Sequence, residues 1–323
     1  MPLQALKFRP GVSRDNTTLA NEGGWYECDK VRFRSGFPEK IGGWAADTGV
    51  NTAPLPPPSG SFWGVCRSMW NWVSLKGRNY VSLGTNLKLY IQDSSDSDVV
   101  DITPLRATST IGSNAFTTTD TSTTVVVNDT AHGAQTGDFI VISGVSGAVN
   151  GIPAADFNTE FRVEYINPNT FAIEVATPAT SSGTTGACVV AYQINTGSAI
   201  FTTAAGWGAG GWSGVTTGFA STGWGESAAT GVGVDLRLWS QINYGEYLLA
   251  NNRGGAIYLW VPSASTTTVN RAQELSSSNT ATQDGVAYWT TDSSCPSACN
   301  LVHVSDSSRF VIAFGCNDYG ETA

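Results

Sequence analysis

Cys295, Cys299 and His303 stand at C-x3-C-x3-H, with Cys316 further on, so four potential zinc ligands lie near one another in the chain. The spacing is not one of the common zinc patterns, and Pro296 interrupts the segment. Free thiols or one local loop disulfide are the expected states, because six cysteines in 323 residues do not make a disulfide scaffold. Base catalysis has few candidates, since the chain holds two histidines. His132 sits in "TAHGAQTGD", where Gly133 and Gly137 predict a turn between strands and a structural histidine. Asp residues in "DSSDSD" (93–98), with Asp101, could supply oxygen ligands to calcium; the segment lacks the glycine and terminal glutamate of an EF-hand loop and reads as a solvated loop. Glu160 and Glu164 would share one face of a continuous strand, as a pair of glycosidase carboxylates requires, but sequence does not set their separation. G-x-S-x-G, P-loop and H-E-x-x-H patterns are absent. No catalytic residue, metal or cofactor is therefore expected, and the chain is read as a non-enzyme.

The elements that position these residues follow from composition. Charged residues make up 13% of the chain, about half the ordinary fraction of roughly 25%. Thr, Ser, Gly and Asn fill the difference, and 36 glycines and 11 tryptophans favour short strands and turns over helices. No stretch keeps a helical period, none has the ~20 apolar residues of a membrane span, and the first residues lack a secretory apolar run. The net charge of −9 is uneven: residues 107–236 hold one base, Arg162, against nine acids, whereas the first fifty residues hold seven bases against six acids. Nucleic-acid binding by phosphate contacts favours a basic surface, so tight DNA binding is not expected, and DNA would pass such a surface without sticking.

An all-β chain is predicted, with irregular propeller-like blades and an inserted small β-barrel or sandwich. The proline run "APLPPPSG" (53–60) reads as a stiff connector. After it, "RSMWNWVSLKGRNYVSLGTNLKLYIQD" (67–93) and "RLWSQINYGEYLLANNRGGAIYLWVP" (237–262) share one order: Arg before Trp, a strand opening at Tyr80 or Tyr247, a Gly/Asn turn, and a strand holding Tyr90 or Tyr258. A third copy starts at "SSRFVIAFGCND" (307–318). Between the first two lies a segment with its own alternating strands at 123–129, 138–145, 160–167 and 170–177. The predicted domains are 1–107, with the N-terminal β region and first blades; 108–195, the inserted module; and 196–323, continuing blades. The Gly/Trp-rich stretch 206–227 is expected to be a packed irregular loop or a protein contact, because exposed Trp is costly in water.

"LKFRPGVSRDNTTLANEGGWYECDKVRFRSGFPEKIGGW" (6–44) resembles the N-terminal signature of the tail nozzle (tail tubular protein B-like) family of short-tailed bacteriophages. So do "SLGTNLKLYI", "DITPLR", "AHGAQTGDFIVISG", "GWGAGGW", "DLRLWSQINYGEYLLANNRGGAIYLW" and "VSDSSRFVIAFGCND", in this order over most of the chain. The resemblance implies an irregular β-propeller with inserted β-modules, in a hexameric ring below the phage adaptor protein. It further implies tail fibre or tail-tip proteins as partners, a place in the virion tail, and transient passage of viral double-stranded DNA without specific binding. Family chains are usually longer than this one.

In "DKVRFRSGFPEKIGGW" (29–44), Lys30, Arg32 and Arg34 alternate with Val31 and Phe33, so a strand puts the cations on one face. Those cations, with Trp207 and Trp212, are the candidate subunit contacts; a half-buried strand and turn whose cations sit in solvent is the plainer expectation. Asp120, Asp129, Asp138, Asp156, Glu160 and Glu164 are the candidate carboxylates of an acidic channel or rim. The expected function is a structural virion protein, the nozzle subunit that retains and ejects the genome. The alternative is a receptor- or carbohydrate-binding tail protein whose head is the inserted module.

Overall fold

The computed structural model describes residues 9–15, 17, 19–42, 62–93, 96–197, 236–262, 270–276, 282–283, 286–287, 295–305 and 307–316. Trp207 and Trp212 lie outside the described residues. The chain divides into two compact units, Met1–Thr48 and Gly49–Ala323. In the first, β1 (Val31–Arg34) and β2 (Phe37–Lys40) form a hairpin in which Arg32 lies opposite Glu39. Ser35 and Gly36 both take positive φ, 51° and 84°, as the two-residue turn of a right-twisted hairpin requires. Val31 and Phe33 are half-buried and Arg32 and Arg34 exposed, so the alternation predicted for this segment is present.

The second unit begins with a four-stranded antiparallel meander: β3 (Cys66–Val73), β4 (Asn79–Thr85), β5 (Leu89–Asp93) and β6 (Asp96–Asp101). Nine strands and one short helix follow: β7 (Leu105–Ile111), β8 (Phe116–Thr118), β9 (Thr124–Asn128), β10 (Phe139–Ser143), α1 (Ala154–Phe157), β11 (Glu160–Arg162), β12 (Glu164–Asn167), β13 (Thr170–Glu174), β14 (Gly183–Thr185) and β15 (Cys188–Gln193). They make two sheets, β11-β10-β15-β7 and β12-β13-β9-β8-β14, over one core that includes Phe116, Phe157, Phe171 and Ile140. Next come a second meander, β16 (Trp239–Tyr244), β17 (Tyr247–Asn252), β18 (Ile257–Trp260) and β19 (Gln273–Leu275), a short pair β20 (Thr282–Gln283) and β21 (Val286–Ala287), and a hairpin β22 (Leu301–Val304) and β23 (Val311–Phe314). The fold is all-β, built of blade-like antiparallel sheets.

The two repeats seen in the sequence are the two meanders, each with a first and a fourth strand that the repeat pattern did not mark. Alternation explains how they stack. In β17 and β18, Leu248, Ala250, Tyr258 and Trp260 face a core shared with Trp72, Tyr80, Leu89 and Ile91 of the first meander. Their neighbours Leu249, Ile257 and Leu259 face a second core with Val302 and Val304 of β22. The middle meander is thus buried on both faces, which is why "YLLA" and "IYLW" are continuous apolar runs. Trp72, Tyr80 and Trp260 pack edge-on or tilted with ring centroids 5.2–6.3 Å apart. Each indole finds an acceptor: Trp72 donates to Glu246 O, Trp239 to Thr85 O and Trp260 to Asn270 O.

Close approach at this seam depends on Gly84. A Cβ there would sit 2.7 Å from Cβ, Cγ and Cδ1 of Trp239. Gly84→Ala is expected to lower stability by about 1–3 kcal/mol through overpacking. The midpoint of urea unfolding, followed by tryptophan fluorescence, checks it; an unchanged midpoint would show that the meanders are not locked together at this strand.

Candidate functional site

The densest polar constellation lies where the first meander, the inserted strands and the second meander converge. Lys88, the residue before β5, lies two positions from Tyr90, and Asp101 of β6 pairs with Tyr90. Lys88 is fully buried, and its Nζ donates to Asp101 Oδ2 at 2.9 Å and to Glu160 Oε1 at 2.5 Å. It also stands 4.3 Å from the centroid of the Phe139 ring. Gln193 Nε2 donates to the same Glu160 oxygen and, at 3.4 Å, to Asp101 Oδ2. Arg271 closes the group from the second meander, with Nη2 3.3 Å from Asp101 Oδ2 and Nη1 donating to Thr103 O at 2.8 Å. The Thr103 backbone N–H donates to Asp101 Oδ1, and its hydroxyl accepts from Leu89 N–H.

The two carboxylates titrate in opposite directions. Burial alone would raise Asp101, but Lys88, Arg271 and the hydrogen bonds from Thr103 outweigh it and hold Asp101 below its ordinary value. Glu160 is pushed up, first by burial and then by the charge of Asp101, against the pull of Lys88. Its second oxygen, Oε2, is buried without a hydrogen-bond partner. Chemically this is an internal ion network that ties three pieces of chain together. Among the described residues no three His, Cys, Asp or Glu side chains gather as metal ligands.

These positions correct part of the sequence reading. Glu160 and Asp129 cannot line a channel or rim: Glu160 is fully buried, and Asp129, 9% exposed, accepts from Tyr192 Oη at 2.6 Å and Ser109 Oγ at 2.9 Å. Nor do Glu160 and Glu164 share a face. The chain leaves one sheet at Val163, whose N–H and C=O bond Asp138 O and Gly137 N, so Glu160 ends in one sheet and Glu164 begins in the other, exposed. Asp120 is exposed, and Asp138 and Asp156 are half-buried. Asp101, placed in a solvated loop by the sequence, is interior, while Asp93 pairs with Arg78 at 3.1 Å. Arg32 pairs with Glu39 at 2.9 Å inside its own hairpin; Lys30 and Arg34 are exposed.

His132 is structural. It is 5% exposed; Nε2–H donates to Asn167 O at 2.9 Å and Nδ1 accepts from Ala134 N–H at 3.0 Å, which assigns the tautomer. Thr136 Oγ1 accepts from Tyr165 N–H at 3.0 Å. Together these side chains occupy the outer edge of β12, so the "AHGAQTGD" turn shields an edge strand from pairing. Cys295 donates its thiol proton to Leu275 O at 3.0 Å, and burial pushes the Cys299 thiol up to about 11. Lys88 and Gln193 were missed by the sequence reading; the signal was a lone lysine inside an apolar alternating run, "NLKLYI".

No family model matches the chain, and no curated protein matches it. Solved structures that match include the phage phi92 endosialidase, at 17% identity and a TM-score of 0.24, over 77% of this chain and 37% of the endosialidase chain. This chain thus spans little more than a third of that protein's length, and a superposition so loose carries no argument for a shared site.

The ion network predicts a graded response. Lys88→Met leaves two buried carboxylates facing each other and is expected to cost about 3–5 kcal/mol at neutral pH. Glu160→Gln removes the group whose native pKa is raised. Wild-type stability contributed by Glu160 is present below its unfolded pKa and lost as pH rises toward the native one. The variant should therefore gain on the wild type as pH rises above the ordinary carboxylate range. Asp101 acts with the opposite sign: its contribution is present above the unfolded pKa and lost as pH falls. Urea titrations of the wild type and Glu160→Gln from acid to neutral pH check the Glu160 effect; a wild-type-minus-variant difference flat with pH would refute the raised Glu160.

Proposed function

We propose that the chain is a structural, non-enzymatic subunit of the tail nozzle of a short-tailed bacteriophage. The observation that carries this reading is the stacking of repeated β-meanders face to face, interrupted by an inserted β-module, in the order of the motifs that resemble the nozzle family. Those motifs coincide with working parts of the fold. "SLGTNLKLYI" builds β4 and β5 and supplies Lys88; "DITPLR" supplies Asp101 and Thr103; "AHGAQTGDFIVISG" supplies the edge shield and β10; "DLRLWSQINYGEYLLANNRGGAIYLW" builds β16 to β18.

In this role six copies form a ring under the adaptor, with tail fibre or tip proteins alongside, and duplex DNA moves through without binding. The electrostatics suit passage. With Asp129 and Glu160 internal, Asp120 and Glu164 remain as exposed candidates and Asp138 and Asp156 as half-buried ones; Glu174 is a further exposed carboxylate. Such a surface repels phosphate and lacks the clustered cations that release counterions from DNA. A receptor- or carbohydrate-binding tail protein is the second reading, favoured by one observation, an open groove on the inserted strands.

Immunogold labelling of intact virions with antibody against the full chain is the direct test. Label on a stubby axial projection at the portal vertex is the expected result. Label on lateral fibres would transfer the proposal to receptor binding, and label on no particle would overturn both. Mobility-shift titration of the full chain with duplex DNA should give no saturable complex at physiological ionic strength; a tight complex would refute passage without binding.

A further inference from the structure

A groove of about 620 Å³ opens on the inserted strands, lined by Gly133, Ala134, Gln135, Thr136, Tyr165 and Pro168, among others. That volume falls within the roughly 300–1,000 Å³ of small-ligand sites. Tyr165 is 44% exposed, although its backbone is held at both sides by the β12–β13 ladder and by Thr136. Its ring is braced by His132, at a centroid distance of 6.0 Å, so an aromatic surface is presented by a fixed backbone and a buried neighbour. Gln135 stands on the same lining; its N–H is anchored on Asp138 Oδ2 at 2.9 Å, and its Oε1 accepts from Asn195 Nδ2 at 3.4 Å. Ala131, at the groove's rim, holds a φ of 55°, a conformation unfavourable for a residue with a Cβ and kept here by its bond to Asn169 Oδ1.

We propose that this groove binds a short neutral oligosaccharide, with a pyranose ring stacked on Tyr165 and a hydroxyl held by the side-chain amide of Gln135. The proposal goes beyond the conduit reading and stands or falls without it. Three observations select the ligand class. First, an added peptide strand would find the outer edge of β12 already occupied, since Tyr165 N–H and Asn167 C=O are bonded to Thr136 and His132. Second, a phosphate or carboxylate ligand would find no Lys or Arg on the lining; Arg106, the cation near Gly133, is turned to His132 O at 2.8 Å and the Tyr192 ring at 4.9 Å. Third, side-chain amides donate and accept at once, which matches hydroxyl groups, and an aromatic face suits the apolar face of a sugar ring.

A printed array of defined neutral glycans, probed with the whole 323-residue chain, followed by saturation-transfer NMR on the best-bound sugar, tests this. Saturable binding is expected, weakened about tenfold or more by Tyr165→Ala and less by Gln135→Ala. Tyr26→Ala, at an exposed tyrosine of the N-terminal unit, should bind as the wild type does. Thermal melts of the variants should match the wild type, because Tyr165 and Gln135 are surface side chains; if Tyr165→Ala melts early, the Gln135→Ala affinity and the Tyr165 proton signals of the wild-type complex decide instead. Absence of saturable binding to every glycan on the array, or binding indifferent to both substitutions, would overturn the proposal. Neither result bears on where the chain sits in a virion.

Discussion

A lysine with no access to water must be neutralised where it lies, and the second unit is arranged around meeting that demand for Lys88. Its ammonium draws Asp101 from the neighbouring part of the same meander and Glu160 from 72 residues further along. Gln193 and Arg271 then satisfy what remains of the two carboxylates. Buried ion pairs repay their desolvation only when geometry is good and the spare hydrogen-bonding capacity is used. Here Glu160 Oε2 and Gln193 Oε1 are left without a partner, and burial pushes Glu160 up. The consequence is positional: because Asp101 comes from the first meander, Glu160 and Gln193 from the inserted strands and Arg271 from the second meander, the three are held in one arrangement.

Away from this joint the molecule is held by repetition. The second meander buries both faces, one against the first meander and one against β22 and β23, so the same alternation serves two cores. Stacked sheets of this kind bury a face only when a neighbour covers it, and they leave edges to manage. One edge, that of β12, is closed by His132 and Thr136 from the turn before β10. The same turn forms a wall of the groove beside Tyr165, so the side chains that block unwanted strand pairing also fix the shape of the surface offered to a ligand.

Much of the fold was legible in the residues. The repeated Arg-Trp-Tyr pattern marks both meanders, and the strands around 123–129, 138–145 and 170–177 appear at β9, β10 and β13. Strands β7, β8, β14 and β15 were not marked, since runs such as "LRATSTI" and "GTT" carry little apolar alternation and owe their state to pairing with distant partners. The site was less legible. The alternation of exposed cations with half-buried Val31 and Phe33 could be read from its own few residues, whereas the Lys88 network could not.

By itself the sequence determined the class of the fold, the thin and acidic charge of the inserted strands, and the turn chemistry, because alternation, composition and Gly or Asn turns are local properties. Only the tertiary structure decided which carboxylates remain in water. Glu160 and Glu164 stand at the same parity in one short stretch, yet one is sealed against Lys88 and the other is exposed, because the chain changes sheets at Val163. Desolvation and pairing depend on partners brought from elsewhere in the chain, and no local pattern carries that information.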